Sequence, residues 1–355
     1  MTLELRVLKA EHGDSIVISG HFDGEYRNIL IDGGPAQVFE SQRAPRPLQF
    51  FLNDVKRSEN KIDLLILTHV DDDHIGGLLA GFNKKGYLTE LTQEIWFNSG
   101  ELIFNHFEQK IDDSNFVMLK NSNGGNTSTN QGVRLESYLT GRTNLANEKM
   151  WSHPLIKAGD EIERFGCKFK ILSPTLPKLQ KLLIQWEKDC AKSNTSGVTN
   201  DYETSLEQLL TEDIFKEDTK PHNGSSLAFI FEFQNKAVLF LGDSHPTIII
   251  SSLKALGFST VNRLKIDYMK VSHHGSKSNT SDELLSLIDC ENFIISANGR
   301  HHCLPNKKTL ARIINRFPNA RLMFNYPDLI AKIFDKEELE SSTFEVMKCE
   351  DVITL

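Results

Sequence analysis

The stretch Leu64–Leu79 reads LLILTHVDDDHIGGLL and predicts a buried strand, a polar turn and the start of a helix. Its apolar run ends at Thr68, and two histidines and three aspartates follow within the next six residues. Carboxylates placed this close together at the end of a core strand repel one another unless a positive charge lies among them. One or two divalent metal ions would supply that charge, whereas a solvated acidic turn is the alternative.

The composition is typical of a soluble globular protein, with 355 residues, 39 % hydrophobic and 25 % charged residues. The net charge of −8 argues against the basic surface of a DNA-coating protein, although metal ions could still attract a nucleic-acid substrate. The five cysteines form no CxxC pair, which argues against a disulfide framework and a thiolate zinc cluster. We see neither a signal peptide nor the roughly 20 apolar residues that span a bilayer, so we expect a cytoplasmic protein without a membrane partner.

Polar residues recur along the chain wherever a predicted apolar strand ends. Loops at strand ends are where a sheet scaffold places its binding or catalytic site. Each residue taken alone has an ordinary interpretation, as a turn aspartate or a surface histidine, but the whole set in this order is specific. The set is Asp14, Asp32, His69 to His74, His222, Asp243, His273 and His274.

Strands alternate with helices over most of the chain, which predicts an α/β architecture. Leu176–Lys192 carries its apolar residues on one stripe and is predicted as an amphipathic helix. The polar, glycine-bearing stretch Asn121–Gln131 is predicted as a loop without a catalytic role.

These motifs resemble those of the metallo-β-lactamase-fold hydrolase superfamily, and most closely the hydrolase domain of ComEC-like competence proteins and related phosphodiesterases and nucleases. The superfamily's usual metal motif is HxHxDH, whereas this chain has HxDxDH with Asp71 at the second position, as in the ComEC-like branch. The resemblance spans roughly residues 3–335. The segments that carry it are Gly13-Asp14-Ser15, Leu30–Gly34, Thr68–Gly77, Leu241-Gly242-Asp243 and Lys270–Lys277.

The resemblance implies an αββα sandwich, formed as a single domain over residues 1–355, with helical insertions at about 100–150 and 175–221. It also implies a site for two divalent metal ions at one edge of the sandwich. Zn²⁺ is the ion expected there, and Mn²⁺ is the alternative.

The resemblance further assigns a role to each matching residue. His69 and Asp71 are expected to bind the first metal, and Asp73 and His74 the second. Asp243 is expected to bridge the metals, with Asp73, His74 and Asp243 essential for catalysis. The full ligand set that the resemblance implies is His69, Asp71, Asp73, His74, His222, Asp243 and His273.

Two of these ligand assignments have a neighbouring alternative, Asn223 for His222 and His274 for His273. Asp32 is expected behind the ligands, where it would hold the tautomer of a liganding histidine. Further residues are expected to support the ligands or to contact the substrate and its phosphate. The expected supporting or contacting residues are Asp14, Asp32, Asn223, His274, Ser276, Lys277, Asn279 and His302.

The function implied by the resemblance is hydrolysis of phosphodiester bonds, as in a nuclease, through a hydroxide that bridges two metals. The expected partner is therefore a nucleic acid or another phosphodiester. One alternative is a hydrolase of a small phosphodiester, lactone or thioester, which a narrow pocket would favour. Another is a component of a multi-gene bacterial system, such as phage defence, whose activity depends on a protein partner. The sequence leaves open whether the chain forms a homo-oligomer.

Overall fold

The computed structural model describes six segments of the chain, and every structural statement below concerns them. They are residues 3–42, 46–107, 128–144, 148–188, 200–340 and 343–355. The chain divides into two compact units, each with its own hydrophobic core. The expectation of one domain over residues 1–355 stays a prediction. The first unit holds Met1–Ile156 and Thr175–Thr195, and the second holds Lys157–Pro174 and Ser196–Leu355.

The first unit contributes five strands that are neighbours in chain order, β1-β2-β3-β4-β5. The strands are β1 Leu3–Val7, β2 Ile16–Phe22, β3 Glu25–Ile31, β4 Ile62–Ile66 and β5 Thr92–Trp96. β1, β2 and β3 are antiparallel, whereas β3, β4 and β5 run parallel. Because Ile31 pairs with Ile66, the carboxyl ends of β3 and β4 lie side by side. Polar residues that follow these two strands are therefore brought together.

Helices of the first unit contribute apolar side chains to the same core as the sheet. They are α1 Pro47–Arg57, α2 Asp72–Asn83, α3 Leu88–Leu91, α4 Gly100–Phe107, α5 Ser128–Leu139 and α6 Leu176–Lys188. Helix α6 confirms the predicted amphipathic helix as far as Lys188, and residues 189–192 lie outside the described residues. The end of the predicted loop Asn121–Gln131 is instead the first turn of α5, which buries Leu135 and Leu139 one turn apart.

The second unit is built on a sheet of order β15-β14-β13-β11-β9-β8-β7-β6, and β10 and β12 form a separate parallel pair. The strands of the second unit are β6 Glu161–Arg164, β7 Cys167–Ser173, β8 Ala228–Phe233, β9 Lys236–Phe240, β10 Leu264–Lys265, β11 Tyr268–Lys270, β12 Ile288–Asp289, β13 Asn292–Ile295, β14 Arg321–Phe324, β15 Glu345–Lys348 and β16 Ile353–Thr354, of which β16 belongs to neither the eight-stranded sheet nor the pair. β9, β11, β13 and β14 run parallel, so the carboxyl ends of all four strands lie at one edge of this sheet. We call it the carboxyl edge of the second sheet.

Helices of the second unit also share a core with its sheet. They are α7 Leu206–Thr211, α8 Pro221–Gly224, α9 Pro246–Ala255, α10 Asp282–Ser286, α11 Lys307–Arg316, α12 Ile330–Ile333 and α13 Lys336–Glu340. The predicted α/β class is confirmed. Within the described residues, no helix combines the length and the apolar character needed to cross a bilayer.

The start of α2 packs backbone against backbone on the turn that follows β3. The Gly77 N–H donates to the Gly34 carbonyl at 2.7 Å, and a Cβ on Gly77 would lie 2.1 Å from the carbonyl oxygen of Gly33. This approach needs a residue without a side chain, because neither backbone can yield without moving the polar turn between β4 and α2.

We expect Gly77→Ala to lower the free energy of unfolding by about 1–3 kcal/mol, because the new methyl group overlaps a carbonyl oxygen. Urea unfolding followed by circular dichroism measures this loss. Gly81→Ala is the matched control in the same helix, since the nearest atom there is the movable side-chain end of Leu88. Equal stability of the two variants would show that the close approach is not needed.

Candidate metal centre

The first group of polar residues lies at the carboxyl ends of β3 and β4, with Asp32 at its centre. The carboxylate of Asp32 accepts hydrogen bonds from the backbone N–H and the hydroxyl of Thr68, both at 2.7 Å. Asp32 is 1 % exposed and has a left-handed backbone with φ of 58°. A non-glycine residue in this conformation is uncommon and persists only where the surroundings hold it in place.

Asp32 also fixes the ring of His74, whose Nδ1 lies 2.7 Å from Asp32 Oδ2. A buried carboxylate against Nδ1 keeps the proton on that nitrogen and leaves the lone pair of Nε2 for a metal. The Nε2 atom lies 3.9 Å from Asp73 Oδ1. This is the arrangement that the resemblance implied for Asp32.

The other histidine of the turn has a carboxylate at the same distance, since His69 Nε2 lies 3.9 Å from Asp71 Oδ2. Two ligand atoms on one tetrahedral zinc ion are about 3.4 Å apart, because each lies at 2.0–2.1 Å from the metal. A small movement of either carboxylate would therefore allow both members of a pair to bind one ion. The ring centroids of His69 and His74 are 4.1 Å apart.

Two further aspartates border this turn in different ways. Asp72 is exposed and accepts a hydrogen bond from the Gln131 side chain at 2.5 Å, so it faces away from the two histidines. Asp14 is 2 % exposed, and its backbone N–H donates to the Asp73 carbonyl at 3.1 Å. The structure thus places Asp14 beside the turn between β4 and α2.

The second group lies in the second unit, at the carboxyl edge of its sheet. Asp243 follows β9, and its two carboxylate oxygens lie 3.5 Å from His273 Nε2 and 3.8 Å from His274 Nε2. Both histidines follow β11 and have left-handed backbones, with φ of 47° and 51°. Two consecutive non-glycine residues in this region indicate a turn held by its surroundings. Asp243 therefore contacts both histidines that the sequence left as alternatives.

The pair His222 and Asn223 lies in α8, close to this group. Asn223 is 1 % exposed, and its Nδ2 lies 2.5 Å from Asp218 Oδ2 and 3.5 Å from His273 Nδ1. In the described part of the chain, its Oδ1 atom has no hydrogen-bond partner. A buried amide oxygen without a partner costs free energy, and a bound cation would satisfy it. This observation fits Asn223 as a ligand and does not separate it from His222, whose Nε2 atom is also buried.

The remaining predicted residues lie on the same edge with different exposure. Ser276 is buried, and its hydroxyl accepts the backbone N–H of Ser278 at 3.2 Å. Lys277 and His302 are exposed. Asn279 is fully buried behind His273, with Oδ1 at 2.9 Å from Nδ1, so it supports the ring and is not open to a phosphate.

Electrostatics in this group keep a negative charge behind His273. Burial by itself raises the pKa of Asp218, but contacts with His273 and Asn223 and the Lys220 N–H outweigh it and hold that pKa well below its ordinary value. Burial lowers the pKa of His273, yet the charge of Asp243 and the contact with Asp218 raise it overall. Asp218 is therefore ionised throughout the neutral pH range.

The donors in the two groups fit a divalent metal. Imidazole nitrogens, carboxylates and an amide oxygen suit Zn²⁺ and Mn²⁺, and each group has a buried carboxylate behind one of its histidines. Sequence reasoning missed Thr68 and Asp218. Thr68 had a usable signal, because it directly precedes the metal motif, whereas Asp218 lay in an acidic stretch that resembles a solvated surface.

Comparison with known proteins identifies relatives by sequence and by fold. Residues 10–141 match the family described as Metallo-beta-lactamase superfamily. ComE operon protein 3 of Bacillus subtilis (strain 168) is 23 % identical over 349 residues, covering 92 % of this chain. The match covers 33 % of that protein, so the chain spans about a third of the length of this curated relative.

The solved structures that the comparison aligns with this chain have low identity to it. The metallo-beta-lactamase fold protein YhfI from Bacillus subtilis is 10 % identical, with 99 % of both chains covered and a TM-score of 0.40. Zn²⁺-bound PqqB from Methylobacterium extorquens is 10 % identical, with 99 % of both chains covered and a TM-score of 0.42. CmlA, a diiron β-hydroxylase from Streptomyces venezuelae, is 11 % identical over all of this chain and 54 % of its own, with a TM-score of 0.42.

Proposed function

We propose that this chain, whose residues 10–141 match the metallo-beta-lactamase superfamily, is a metal-dependent hydrolase of phosphodiester bonds, acting as a nuclease. The observation that carries the proposal is the buried contact between Asp32 and His74, which presents Nε2 of that histidine toward Asp73. The arrangement buries a carboxylate and a histidine among apolar side chains, which costs free energy. A pair of core residues without a binding role would gain nothing in return for that cost.

In this proposal the metals take the ligands that the superfamily resemblance implies. His69 and Asp71 serve one ion, and Asp73 and His74 serve the other. The set is completed by Asp243, by His273 or His274, and by His222 or Asn223. When bound, two Zn²⁺ or Mn²⁺ ions lower the pKa of a water molecule toward neutrality and stabilise negative charge on the phosphoryl oxygens.

The preference for a phosphodiester over a neutral ester rests on positive side chains at the carboxyl edge of the second sheet. Lys277 follows β11 and Arg300 follows β13, and both side chains are exposed. Asn306 joins their loops, because its Oδ1 accepts the Lys277 N–H at 2.9 Å and its own N–H donates to Gly275 at 3.0 Å. Neither Lys277 nor Arg300 forms an ion pair within the described residues. In a chain of net charge −8, exposed cations at this edge favour an anionic substrate.

We expect the double variant Lys277→Glu and Arg300→Glu to lower kcat/KM for an oligonucleotide by about tenfold or more, because two cations that contact phosphates become repulsive. The loss for bis-p-nitrophenyl phosphate should be smaller, since that substrate is too short to contact both side chains. The matched control is Lys265→Glu, an exposed lysine before the opposite end of β11.

The substrate itself is tested with single-stranded DNA, double-stranded DNA, RNA and bis-p-nitrophenyl phosphate, each with Zn²⁺ or Mn²⁺. Cleavage of at least one phosphodiester supports the proposal. Hydrolysis of a lactone or thioester without any phosphodiester cleavage would overturn it in favour of the small-substrate alternative. Activity that arises only with an added protein partner would select the partner-dependent alternative.

A further inference from the structure

We propose that Asp218 is a positioning residue that fixes the tautomer and the orientation of His273, and that residues 201–218 form an acidic strap that holds Asp218 in place. The inference rests on the proposed function, in which His273 is a candidate metal ligand. Asp218 belongs to no motif of the superfamily resemblance, and its part in the site comes only from the contacts of the second unit.

The carboxylate of Asp218 is surrounded by hydrogen-bond donors at the back of His273. Its side chain is 8 % exposed, and Oδ2 lies 3.4 Å from His273 Nδ1. Oδ2 also accepts the side-chain amides of Asn223 at 2.5 Å and Asn279 at 3.2 Å, and Oδ1 accepts the Lys220 N–H at 2.9 Å. A carboxylate with this many donors is held in one orientation.

The contact reaches His273 mainly through Asn279. The Nδ1–H of His273 donates to Asn279 Oδ1 at 2.9 Å, and Nδ2 of the same amide donates to Asp218. The carbonyls of Asp243 and Ser244 also accept from this Nδ2, at 3.0 and 3.4 Å, so Asp218 and these two acceptors together determine which end of the Asn279 amide faces the ring. The proton is thereby held on Nδ1, and Nε2 keeps its lone pair on the side of Asp243, 3.5 Å away.

The same chemical device occurs in the first unit, where Asp32 holds Nδ1 of His74. There the buried carboxylate touches the ring directly and is steadied by Thr68. Each polar group thus has one buried carboxylate behind one histidine. A carboxylate in this position orients a histidine for metal binding. An ion pair that served only stability would not need a second carboxylate on the opposite side of the ring.

The acidic strap is attached to the second unit by its own carboxylates. Asp201 accepts the first two backbone N–H groups of α11, at 2.8 and 3.1 Å, and Asp213 binds Arg312 through both oxygens, at 2.6 and 2.7 Å. Glu217 accepts the N–H of Thr247 at 2.9 Å at the start of α9.

Two contacts then link the strap to the turn that carries His273. The Asp218 N–H donates to the Ser278 carbonyl at 3.0 Å, and Arg312 donates to the carbonyls of Lys277 and Thr280 at 2.6 and 2.8 Å. The strap and the turn are therefore held by the same arginine, and Asp218 has in addition its own backbone bond to the turn.

The test compares Asp218→Asn with Asp213→Asn, which removes a carboxylate of the same strap that touches Arg312 and not His273. We expect Asp218→Asn to weaken Zn²⁺ binding by 10–100-fold in competition with a chromophoric chelator, because it removes the charged acceptor that lies 3.4 Å from His273 Nδ1. Asp213→Asn should lower Tm and leave the Zn²⁺ affinity within about threefold, because Asp218 keeps its own bonds to Ser278, Lys220 and Asn223.

Nitrogen NMR of the histidine rings gives a second reading that does not depend on activity. The wild-type chain should show His273 with its proton on Nδ1, and Asp218→Asn should show a mixture of tautomers or the Nε2–H form. Unchanged Zn²⁺ affinity and an unchanged His273 tautomer in Asp218→Asn would overturn the inference. An equal loss of Zn²⁺ affinity in Asp213→Asn would do the same. If the wild type binds Zn²⁺ but cleaves no phosphodiester, the proposed function fails while this comparison still decides the role of Asp218.

Discussion

Replacement of Asp73 by alanine is expected to abolish metal-dependent hydrolysis while the protein stays folded. The Asp73 side chain is 24 % exposed in the first turn of α2, so its removal opens no cavity in the core. Its carboxylate faces Nε2 of His74 and is the partner with which that imidazole would hold a metal. A metal contributes several kcal/mol of transition-state stabilisation, so kcat/KM should fall by about 10³-fold or more.

The neighbouring Asp72 provides the matched control for this variant. It is the same residue type in the same helical turn, but it is exposed and contacts Gln131. Asp72→Ala should keep kcat/KM within about threefold of the wild type, because surface substitutions have small effects. Full activity of Asp73→Ala in a metal-replete assay would refute the assignment, as would an equal loss in both variants.

Asp32→Asn is the second variant from which we expect a large effect, and it acts through the tautomer of His74. Asparagine has nearly the same volume and tolerates the left-handed backbone at this position. One of its two terminal groups is now an N–H₂ donor, which faces either His74 Nδ1 or the Thr68 N–H. If it faces His74, the ring must carry its proton on Nε2 and cannot bind a metal through that atom.

We therefore expect Asp32→Asn to weaken Zn²⁺ binding by 10–100-fold and to lower hydrolysis accordingly. Zn²⁺ titration against a chromophoric chelator measures the affinity, and thermal unfolding measures the stability. Asp63→Asn is the control, because Asp63 is a half-buried aspartate of the first unit whose bonds go to Arg27 and Asn28 and not to a histidine. Wild-type Zn²⁺ affinity in Asp32→Asn would show that the contact with His74 is structural only.

The first polar group could largely be predicted from the sequence because its determinants are local. An apolar run that ends at Thr68 and a pair of glycines at Gly76 and Gly77 indicate a strand, a turn and a helix, and β4 and α2 have those positions. Asp32 follows β3, and the parallel pairing of β3 with β4 brings it to His74. The carboxyl ends of parallel strands generally meet at one edge of a sheet, so the sequence pattern was sufficient to predict that these residues lie together.

Asp218 could not be predicted, because its role depends on contacts between distant parts of the chain. It lies in a stretch rich in acidic residues, which in sequence resembles a solvated surface. Only the folded second unit shows that it accepts the amide of Asn279, 61 residues away. The first turn of α5 was wrongly predicted as a loop for a related reason. Its polar residues resemble a loop, but Gln131 is buried against α2, where it binds Asp72.

The most direct test of the proposed metal-dependent hydrolysis is the metal content of the purified chain, measured together with its hydrolysis of bis-p-nitrophenyl phosphate. We expect two equivalents of Zn²⁺ or Mn²⁺ per wild-type chain, activity that a chelator removes and the same metal restores, and neither full metal content nor activity in Asp73→Ala. A wild-type chain that binds no divalent metal, or that hydrolyses the substrate equally well after chelation, would contradict the proposal.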